Sequence, residues 1–260
     1  MNIVNYITHI AKEHVREMEE KFHDEIRQSI RYTREYKNDC NKTVDKERLT
    51  TSNQFPKLRI IDTDSVTALY TSDYDDHIGM LNFASYKSPG GRFIEGSRAQ
   101  EEAICHESTL YNVLKEYEDS FYKPNRERLN HALYHSNLLY VPGVVFERND
   151  IVKLCDVITC AAPNKGVARR YNMVSEEEYL TELRDRIDSV LFSAYDNNIQ
   201  CLILGAFGCG VFKNDPEDVA NVFKEFIDGK YAGAFKEIIF PIPKDNKSVN
   251  LEVFRNVFNK

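Results

Sequence analysis

Two neighbouring glutamates follow a glycine-containing loop and open a predicted helix. Residues 89–102 read PGGRFIEGSRAQEE, and Glu101 and Glu102 fall in the first turn of a helix predicted over residues 99–117. A carboxylic acid held in a cleft can give a proton to a departing oxygen, which is general acid catalysis. The alternative is structural, because acidic residues at this position also complement the helix dipole and cap loose N–H groups. Adjacent helix positions lie about 100° apart, so we expect the two side chains to point in different directions.

A second glycine loop, Gly208 to Phe212, reads GCGVF and is followed closely by Asn214, Asp215 and Pro216. Glycine has no Cβ, so backbone N–H groups in such a loop can approach a ligand closely. Asn214 or Asp215 is a good N-cap for a helix that begins at Pro216, which puts a helix N-terminus beside the loop. A diphosphate is a natural occupant of such a place. The alternative is a tight turn that needs glycine only for its φ angles, and neither loop has the P-loop or GxGxxG pattern.

Apolar runs alternate with amphipathic segments after residue 57. Strands are predicted over residues 58–61, 78–84, 138–146, 152–159, 201–205 and 235–241, and helices over residues 65–70, 99–117, 176–197 and 216–227. This alternation indicates an α/β layered fold with a largely central sheet. The two glycine loops follow the strands 78–84 and 201–205, and ligands in such sheets bind beyond the carboxyl ends of strands.

The first 56 residues have a different pattern. Residues 3–37 carry an apolar residue at every third or fourth position, which predicts a helix with one apolar face. We expect that face to pack against the rest of the protein. Residues 38–56 are polar and predict a surface connection. The predicted organisation is therefore an N-terminal helical extension and linker over residues 1–56, and a main domain over residues 57–260.

Composition narrows the classes of protein to which the chain can belong. A net charge of −7 over 260 residues argues against a general affinity for nucleic acid. No run of about 18 apolar residues is present, and the N-terminus does not read as a secretory signal, so we predict a cytoplasmic protein with no membrane span. The six cysteines form no CxxC pair and predict reduced thiols. No metal site is predicted, because no closely spaced Cys/His pairs suggest one.

Two further residues have nucleophilic or basic side chains close to the loops. Cys209 lies in the second glycine loop, but no histidine is near it in sequence, so we interpret it as a small loop residue rather than a nucleophile. His106 lies four positions after Glu102 on the predicted helix. We interpret it as a supporting or surface residue rather than a base.

Four sequence blocks together resemble the bacterial-type poly(ADP-ribose) glycohydrolases. They are LNFAS at residues 81–85, the glycine stretch from Gly90 to the QEE sequence at 100–102, VITCAAPN at 157–164, and GAFGCGVFKNDP at 205–216. The blocks occur in the family's order, and the resemblance extends from about residue 57 to 241. It implies a macrodomain-like three-layer α/β fold with a mixed central sheet, to which residues 1–56 add a helical extension.

The resemblance also implies roles for single residues. Glu102, the second glutamate of the QEE sequence, would be the catalytic acid, and Glu101 would hydrogen-bond ribose hydroxyls and orient the sugar. Asn82 would lie near the ribose and Asp62 near the adenine. The loop 208–211 would wrap the diphosphate, and Phe212 would pack on the distal ribose. The full set of remaining ligand-binding residues would be Gly90, Gly91, Gln100, Gly208, Cys209, Gly210, Val211 and Phe212.

The reaction implied is hydrolysis of a ribose–ribose O-glycosidic bond to release ADP-ribose, without a metal or other cofactor. We expect partial burial and the charge of the diphosphate to favour the neutral form of Glu102, which can then protonate the departing oxygen. The ionised carboxylate would activate water in the second step. The substrate would be poly(ADP-ribose) or an ADP-ribosylated macromolecule, and we expect a monomeric enzyme.

One departure from the family pattern concerns Arg92, because the family has three consecutive glycines where this chain has Gly90, Gly91 and Arg92. If the third position requires φ > 0, arginine strains the loop. If it does not, Arg92 can add a cation beside the substrate. Two other functions remain open from the sequence: removal of mono-ADP-ribose from a macromolecule, and binding of ADP-ribose without cleavage.

Overall fold

The apolar runs of the chain lie side by side in one mixed sheet. The computed structural model describes residues 3–50, 55–172, 174–245 and 248–259. In these ranges the strands are β1 (Arg34–Tyr36), β2 (Lys57–Ile61), β3 (Ile78–Phe83), β4 (Leu138–Arg148), β5 (Ile151–Cys160), β6 (Cys201–Ile203) and β7 (Glu237–Pro241). Their order across the sheet is β1-β4-β5-β3-β6-β7-β2. The pairs β1/β4 and β4/β5 are antiparallel, and the remaining neighbours are parallel.

Helices cover both faces of this sheet. They are α1 (Ile3–Lys21), α2 (His23–Tyr32), α3 (Lys46–Thr50), α4 (Ser65–Tyr70), α5 (Gln100–His106), α6 (Leu110–Leu114), α7 (Lys123–Glu127), α8 (Lys165–Arg170), α9 (Glu176–Asp196), α10 (Pro216–Asp228) and α11 (Asn250–Phe258). One apolar core lies between the sheet and α9, α10 and α11, and a second lies between the sheet and α1, α2, α4, α5 and α6. The predicted three-layer α/β fold with a mixed central sheet is confirmed.

The N-terminal segment differs from the single helix predicted over residues 3–37. Its helix bends at Phe22 and ends at Tyr32, and β1 then pairs antiparallel with β4 at the edge of the sheet. Residues 34–36 pair with β4 instead of continuing the helix, and this pairing gives the edge of β4 hydrogen-bond partners that a longer helix would not. The apolar stripe packs as predicted, with Ala11 and Ile26 in the same core as α5. The division of the chain at residue 57 stays a prediction.

Two other segments differ in detail. The connection predicted over residues 38–56 contains the short helix α3, and its residues 51–54 lie outside the described residues. The helix predicted over 99–117 is interrupted, because Glu107 and Thr109 hydrogen-bond to the backbone of β4 at Glu147 and Val145. α5 therefore ends at His106, and α6 begins at Leu110.

The strand order determines where the two glycine loops meet. Because β3 pairs in parallel with both β5 and β6, the carboxyl ends of all three strands lie at the same edge of the sheet. The first glycine loop leaves β3 and the second leaves β6, its direct neighbour. Neighbouring strands lie about 4.8 Å apart, so the two loops flank a common crevice at this edge.

Within the described residues, no helix is long and apolar enough to cross a membrane. All six cysteines are free thiols, and Cys105, Cys155, Cys160 and Cys201 are buried.

Candidate active site

Glycine is required at two consecutive positions of the first loop. Gly90 and Gly91 have φ of 63° and 61°, a left-handed conformation that residues with a Cβ rarely adopt. A Cβ on Gly90 would lie 2.6 Å from the ring of Tyr111, and one on Gly91 would lie 2.7 Å from Oε1 of Glu102 and 2.8 Å from Oε2 of Glu101. The loop can approach both carboxylates only because Gly91 has no side chain.

Those last two distances also correct the expectation that Glu101 and Glu102 point in different directions. Both carboxylates reach the same point beside Gly91. Their backbones are about 100° apart around the helix, but each side chain has three rotatable bonds and bends toward the loop. The helix start therefore presents two acids to one place.

Glu102 is held by backbone N–H groups on both of its oxygens. Oε1 accepts from Arg92 N and Oε2 accepts from Ala99 N, each at 2.9 Å, and the residue is buried, with 5% exposure. The bond from Ala99 is a helix-capping interaction, which is the structural role that the sequence offered as an alternative for these glutamates. The bond from Arg92 is different, because it joins the glutamate to the loop that follows β3. Glu102 is therefore fixed in position from two segments of the chain.

Glu101 is also buried, and its partners come from β3 and from the loop that follows it. Oε1 accepts from Asn82 Nδ2 at 3.2 Å, and Oε2 accepts from Ser85 N at 2.7 Å. Burial raises the pKa of Glu101 to about 8, against the opposing effect of those two hydrogen bonds and with a smaller contribution from the charge of Glu102. Near neutral pH Glu101 is therefore mostly protonated and can donate as well as accept a hydrogen bond.

Gln100 ties the helix to the sheet. Its Nε2 donates to Leu81 O at 2.8 Å and to Ser65 Oγ at 3.1 Å, while its Oε1 accepts from Phe83 N at 2.8 Å. These three contacts join α5 to β3 and to the start of α4. The geometry gives Gln100 the role of placing the two glutamates, and its contact with a ligand stays a prediction.

Arg92 adopts a conformation that any residue can take. Its φ is −113°, so the loss of the family's third glycine introduces no left-handed residue. The guanidinium lies in solvent, with 74% of the side chain exposed, and pairs with Glu95 at 2.7 Å. The backbone N–H of Arg92 is the part of the residue that contacts Glu102.

The second glycine loop contains backbone N–H groups without partners in the described part of the protein. Gly208 has φ of 74°, and a Cβ there would lie 2.3 Å from the side-chain nitrogen of Asn214 and 2.5 Å from Ala162. Within the described residues, the backbone N–H groups of Gly210, Val211 and Phe212 donate no hydrogen bond to the protein. A Cβ on Gly210 would meet nothing within 4 Å. These N–H groups can bind an anion without moving the loop.

The sequence predicted a helix start beside this loop, and α10 begins at Pro216 with Asp215 as its N-cap. Asp215 already accepts from the N–H of Glu217 at 2.9 Å. The loop itself, rather than the helix terminus, therefore offers the donors. Cys209 is different from its neighbours, because its N–H is bonded to Ala206 O at 3.1 Å. Burial raises the pKa of the Cys209 thiol to about 12, so it is not a reactive thiolate.

Two buried asparagines carry amide atoms without partners at this edge. In the described residues, Oδ1 of Asn82 and both amide atoms of Asn214 have no hydrogen-bond partner. Buried polar groups are nearly always satisfied, so these atoms indicate places for a ligand or water. Asn82 was predicted as a site residue. Asn214 was predicted only as a helix cap, although the buried amide against Gly208 is consistent with a place in the site.

The other predicted residues lie farther from the glutamates. Asp62 follows β2 at the sheet edge, is exposed, and accepts from Lys244 N at 2.7 Å. Three strand spacings separate β2 from β3, which is about 14 Å. His106 packs edge-on against Phe93 at 4.7 Å between ring centroids, and burial lowers its pKa. It supports the loop, as predicted.

Sequence reasoning predicted Phe212 but missed two other aromatic residues beside the crevice, Tyr134 and Tyr86, because their contacts are made between distant segments. Phe212 packs edge-on against Tyr134 with ring centroids 6.0 Å apart, and Tyr134 stacks on Tyr86 at 4.3 Å. Among the described residues, no group of three or more His, Cys, Asp or Glu side chains is placed to hold a metal ion.

This mixed sheet between two helical layers, with two glycine loops at one edge, defines a macrodomain-like α/β protein. Residues 2–149, more than half of the chain, match the sequence model of the microbial-type PARG catalytic domain. The chain therefore belongs to the microbial-type PARG family, and the resemblance drawn from four sequence blocks is confirmed.

Solved structures agree with that assignment. Poly(ADP-ribose) glycohydrolase from Thermomonospora curvata superposes with a TM-score of 0.84 at 28% sequence identity, over 98% of this chain and 100% of that one. The same enzyme bound to the inhibitor ADP-HPD gives 0.81 at 30% identity, over 97% and 99%. The enzyme from Deinococcus radiodurans in complex with ADP-ribose gives 0.80 at 30% identity, over 90% and 97%. No curated protein sequence matches the chain.

Proposed function

We propose that this protein is a poly(ADP-ribose) glycohydrolase, which hydrolyses ribose–ribose O-glycosidic bonds and releases ADP-ribose. The observation that carries the proposal is the convergence of two buried carboxylates on Gly91. At the same edge of the sheet, the neighbouring strand β6 leads into the loop whose backbone N–H groups have no partner among the described residues. Family membership and the ADP-ribose complex of the Deinococcus radiodurans relative support the same substrate.

Glu102 acts as general acid and then as general base. In the first step its carboxyl gives a proton to the departing ribose oxygen while the bond from the anomeric carbon breaks, which leaves an oxocarbenium-like sugar. In the second step the carboxylate takes a proton from water as the water oxygen bonds to that carbon. The usual glycosidase has a second carboxylate across the bond. Glu101 lies on the same side as Glu102, so it does not take that role.

The developing positive charge is stabilised instead by the diphosphate of the substrate itself. The loop 208–211 binds the diphosphate through its backbone, with donors from Gly210 and Val211, and Phe212 packs on the ribose. The N–H of Cys209 is already bonded within the loop, so this residue contributes shape rather than a donor.

The remaining contacts orient the sugar and the base. Glu101 and Asn82 hydrogen-bond ribose hydroxyls, and the Oδ1 atom of Asn82 accepts one of them. Asp62 contacts the adenine at the far end of the crevice. Gly90 and Gly91 allow the sugar to approach the carboxylates, and Gln100 holds the helix that carries them.

Two substrates separate this function from its alternatives. The purified protein is incubated with poly(ADP-ribose) and, separately, with a mono-ADP-ribosylated protein, and free ADP-ribose is measured. Release from the polymer alone supports the proposal. Release from the mono-modified protein alone makes it a mono-ADP-ribosyl hydrolase, and tight ADP-ribose binding without either product makes it a binding protein.

We also propose that the enzyme is a cytoplasmic monomer. Free, mostly buried thiols are typical of a reducing compartment. Both glycine loops and both glutamates come from one chain, so the site does not need a second copy.

A further inference from the structure

Tyr134 lies between the two loops that form the crevice. Its ring stacks on Tyr86 with centroids 4.3 Å apart and planes at 10°, and it meets Phe212 edge-on at 6.0 Å. Tyr86 directly follows Ser85, whose N–H binds Glu101 at 2.7 Å. Phe212 closes the second glycine loop. Three rings therefore connect the segment that holds the glutamates to the segment that presents the free N–H groups.

The segment that carries Tyr134 has an unusual backbone. Asn130, His131, Ala132 and Tyr134 have φ of 44°, 50°, 70° and 63°, although none of them is glycine. Left-handed conformations are unfavourable for residues with a Cβ, and they persist only where the surrounding structure imposes them. Here the Asn130 side chain donates to Tyr134 O at 3.0 Å, and Ala132 O accepts from Asn164 N at 3.0 Å.

A buried arginine on α9 also holds the segment that carries Tyr134. Arg186 on α9 is completely buried, and its guanidinium donates to Leu133 O at 3.1 Å, to Ser136 Oγ at 3.1 Å and to Ala161 O. Ala161 directly follows β5, the strand beside β3. All three acceptors are neutral oxygens, so these contacts are hydrogen bonds and not ion pairs with a carboxylate. It ties the left-handed segment to the edge of the sheet.

We propose that Tyr134 is a positioning residue that sets the separation between the catalytic glutamates and the diphosphate loop, and that Arg186 holds it in place. The inference rests on the proposed function, in which the diphosphate must lie beside the anomeric carbon that Glu102 serves. A displacement of about 1 Å in such an arrangement can lower the rate about 100-fold. The rings transmit position from one loop to the other because they pack directly, without a hydrogen bond that could lengthen.

The first test compares three variants in ADP-ribose affinity, measured by calorimetry, and in kcat and KM with the polymer. Tyr134→Leu is expected to weaken ADP-ribose binding and to lower kcat, each by about tenfold, because a single ring contact contributes about that factor. Tyr134→Phe keeps the ring contacts and is expected to stay within about twofold of the original protein. Tyr32→Leu, on the exposed surface of α2, is the matched control. Unchanged affinity and kcat in folded Tyr134→Leu would overturn the proposal.

The second test asks whether Tyr134 acts through Phe212. ADP-ribose affinity is measured for Tyr134→Leu, Phe212→Leu and the double variant. Because the rings touch, the double variant is expected to bind no more than about twofold more weakly than Phe212→Leu alone. If Tyr134 and Phe212 act on binding independently, the two losses in affinity multiply, and that result overturns the coupling. If Tyr134 acts on stability only, Tyr134→Leu lowers the melting temperature and leaves the affinity of the folded protein unchanged, which overturns the proposal. If Tyr134→Leu fails to fold by circular dichroism, Tyr86→Leu replaces it in the same cycle, with the same expectation.

The outcomes distinguish this inference from the proposed function. If the original protein binds ADP-ribose but does not cleave the polymer, the proposed function fails while the affinity cycle still decides the role of Tyr134. If it cleaves the polymer and Tyr134→Leu is unaltered, only the positioning role fails. If the original protein does not bind ADP-ribose, both fail.

Discussion

The backbone N–H of Arg92 donates a 2.9 Å hydrogen bond to Oε1 of Glu102. This contact joins the loop after β3 to the helix that begins at Gln100. It depends on the backbone of Arg92 and not on the guanidinium, which pairs with Glu95 in solvent. A residue that breaks the family pattern therefore keeps its backbone contact with the glutamate.

Substitutions of Arg92 should separate the side chain from the backbone. Arg92→Ala removes an exposed cation and keeps the N–H, so kcat/KM with the polymer should change by no more than about twofold. Arg92→Pro removes the N–H and imposes a φ near −65° in place of −113°, so kcat should fall at least about tenfold. Equal activity of the two variants, measured by ADP-ribose release, would contradict the importance of the Arg92–Glu102 bond.

Replacing the proposed acid should remove turnover and spare binding. Glu102→Gln cannot donate the proton, so we expect kcat to fall about 100-fold or more, while the affinity for ADP-ribose changes little because the loop 208–212 is untouched. The amide group also faces an N–H donor from Arg92 or Ala99, which should cost about 1 kcal/mol of stability. Glu95→Gln is the control with the same chemical change on an exposed residue. Substantial hydrolysis by folded Glu102→Gln would rule out the assignment.

Alanine substitutions in the two glycine loops should have different effects on stability and on binding. Gly91→Ala puts a Cβ less than 3 Å from the carboxylates of Glu101 and Glu102 in a left-handed residue, so it should lower the free energy of unfolding by about 1–3 kcal/mol and abolish most activity. Gly210→Ala places its Cβ in open space and should leave the melting temperature nearly unchanged while weakening ADP-ribose binding. Thermal unfolding and calorimetry measure the two effects, and a stable, active Gly91→Ala would contradict the geometry.

The raised pKa of Glu101 should appear as a pH dependence of stability. The folded protein keeps a proton on this residue up to about pH 8, whereas an unfolded glutamate releases it near pH 4.5. The stabilisation is therefore complete below pH 4.5 and is lost as pH rises through about 8, with a slope of about 1.4 kcal/mol per pH unit between them. The difference between the original protein and Glu101→Gln isolates this effect from the histidines. Parallel pH profiles in denaturant unfolding would show that Glu101 titrates normally.

Cys209 should be dispensable for catalysis. Its thiol has a pKa raised to about 12 by burial, so at pH 8 it is almost entirely protonated. Cys209→Ala should keep kcat within about threefold, since the small side chain preserves the loop. Iodoacetamide at pH 8 should inactivate the original protein no faster than the variant. Rapid inactivation of the original protein alone would indicate a reactive thiolate after all.

The local features of the site could be predicted because they depend on residues close together in the chain. The two glycines before the QEE sequence, the helix that starts at Gln100, and the cap and proline that start α10 all follow from backbone preferences over a few residues. The order of the four blocks was sufficient to identify the family. The predicted α/β layers follow from the alternation of apolar runs and amphipathic helices.

Other features depended on contacts between distant segments, which no local pattern reports. The pairing of β1 with β4 ended the N-terminal helix, and β4 interrupted the helix after His106. The sign of φ at Arg92 is set by how the loop closes on Glu102, so the motif alone left it open.

The acids of the QEE sequence and the glycines of both loops can be read directly from the sequence. The convergence of both acids on Gly91, the raised pKa of Glu101 and the link that Tyr134 makes between the two loops depend on the folded protein. This division follows from the range of the interactions. Helix caps and glycine conformations act over a few residues, whereas burial and packing depend on the whole arrangement of strands.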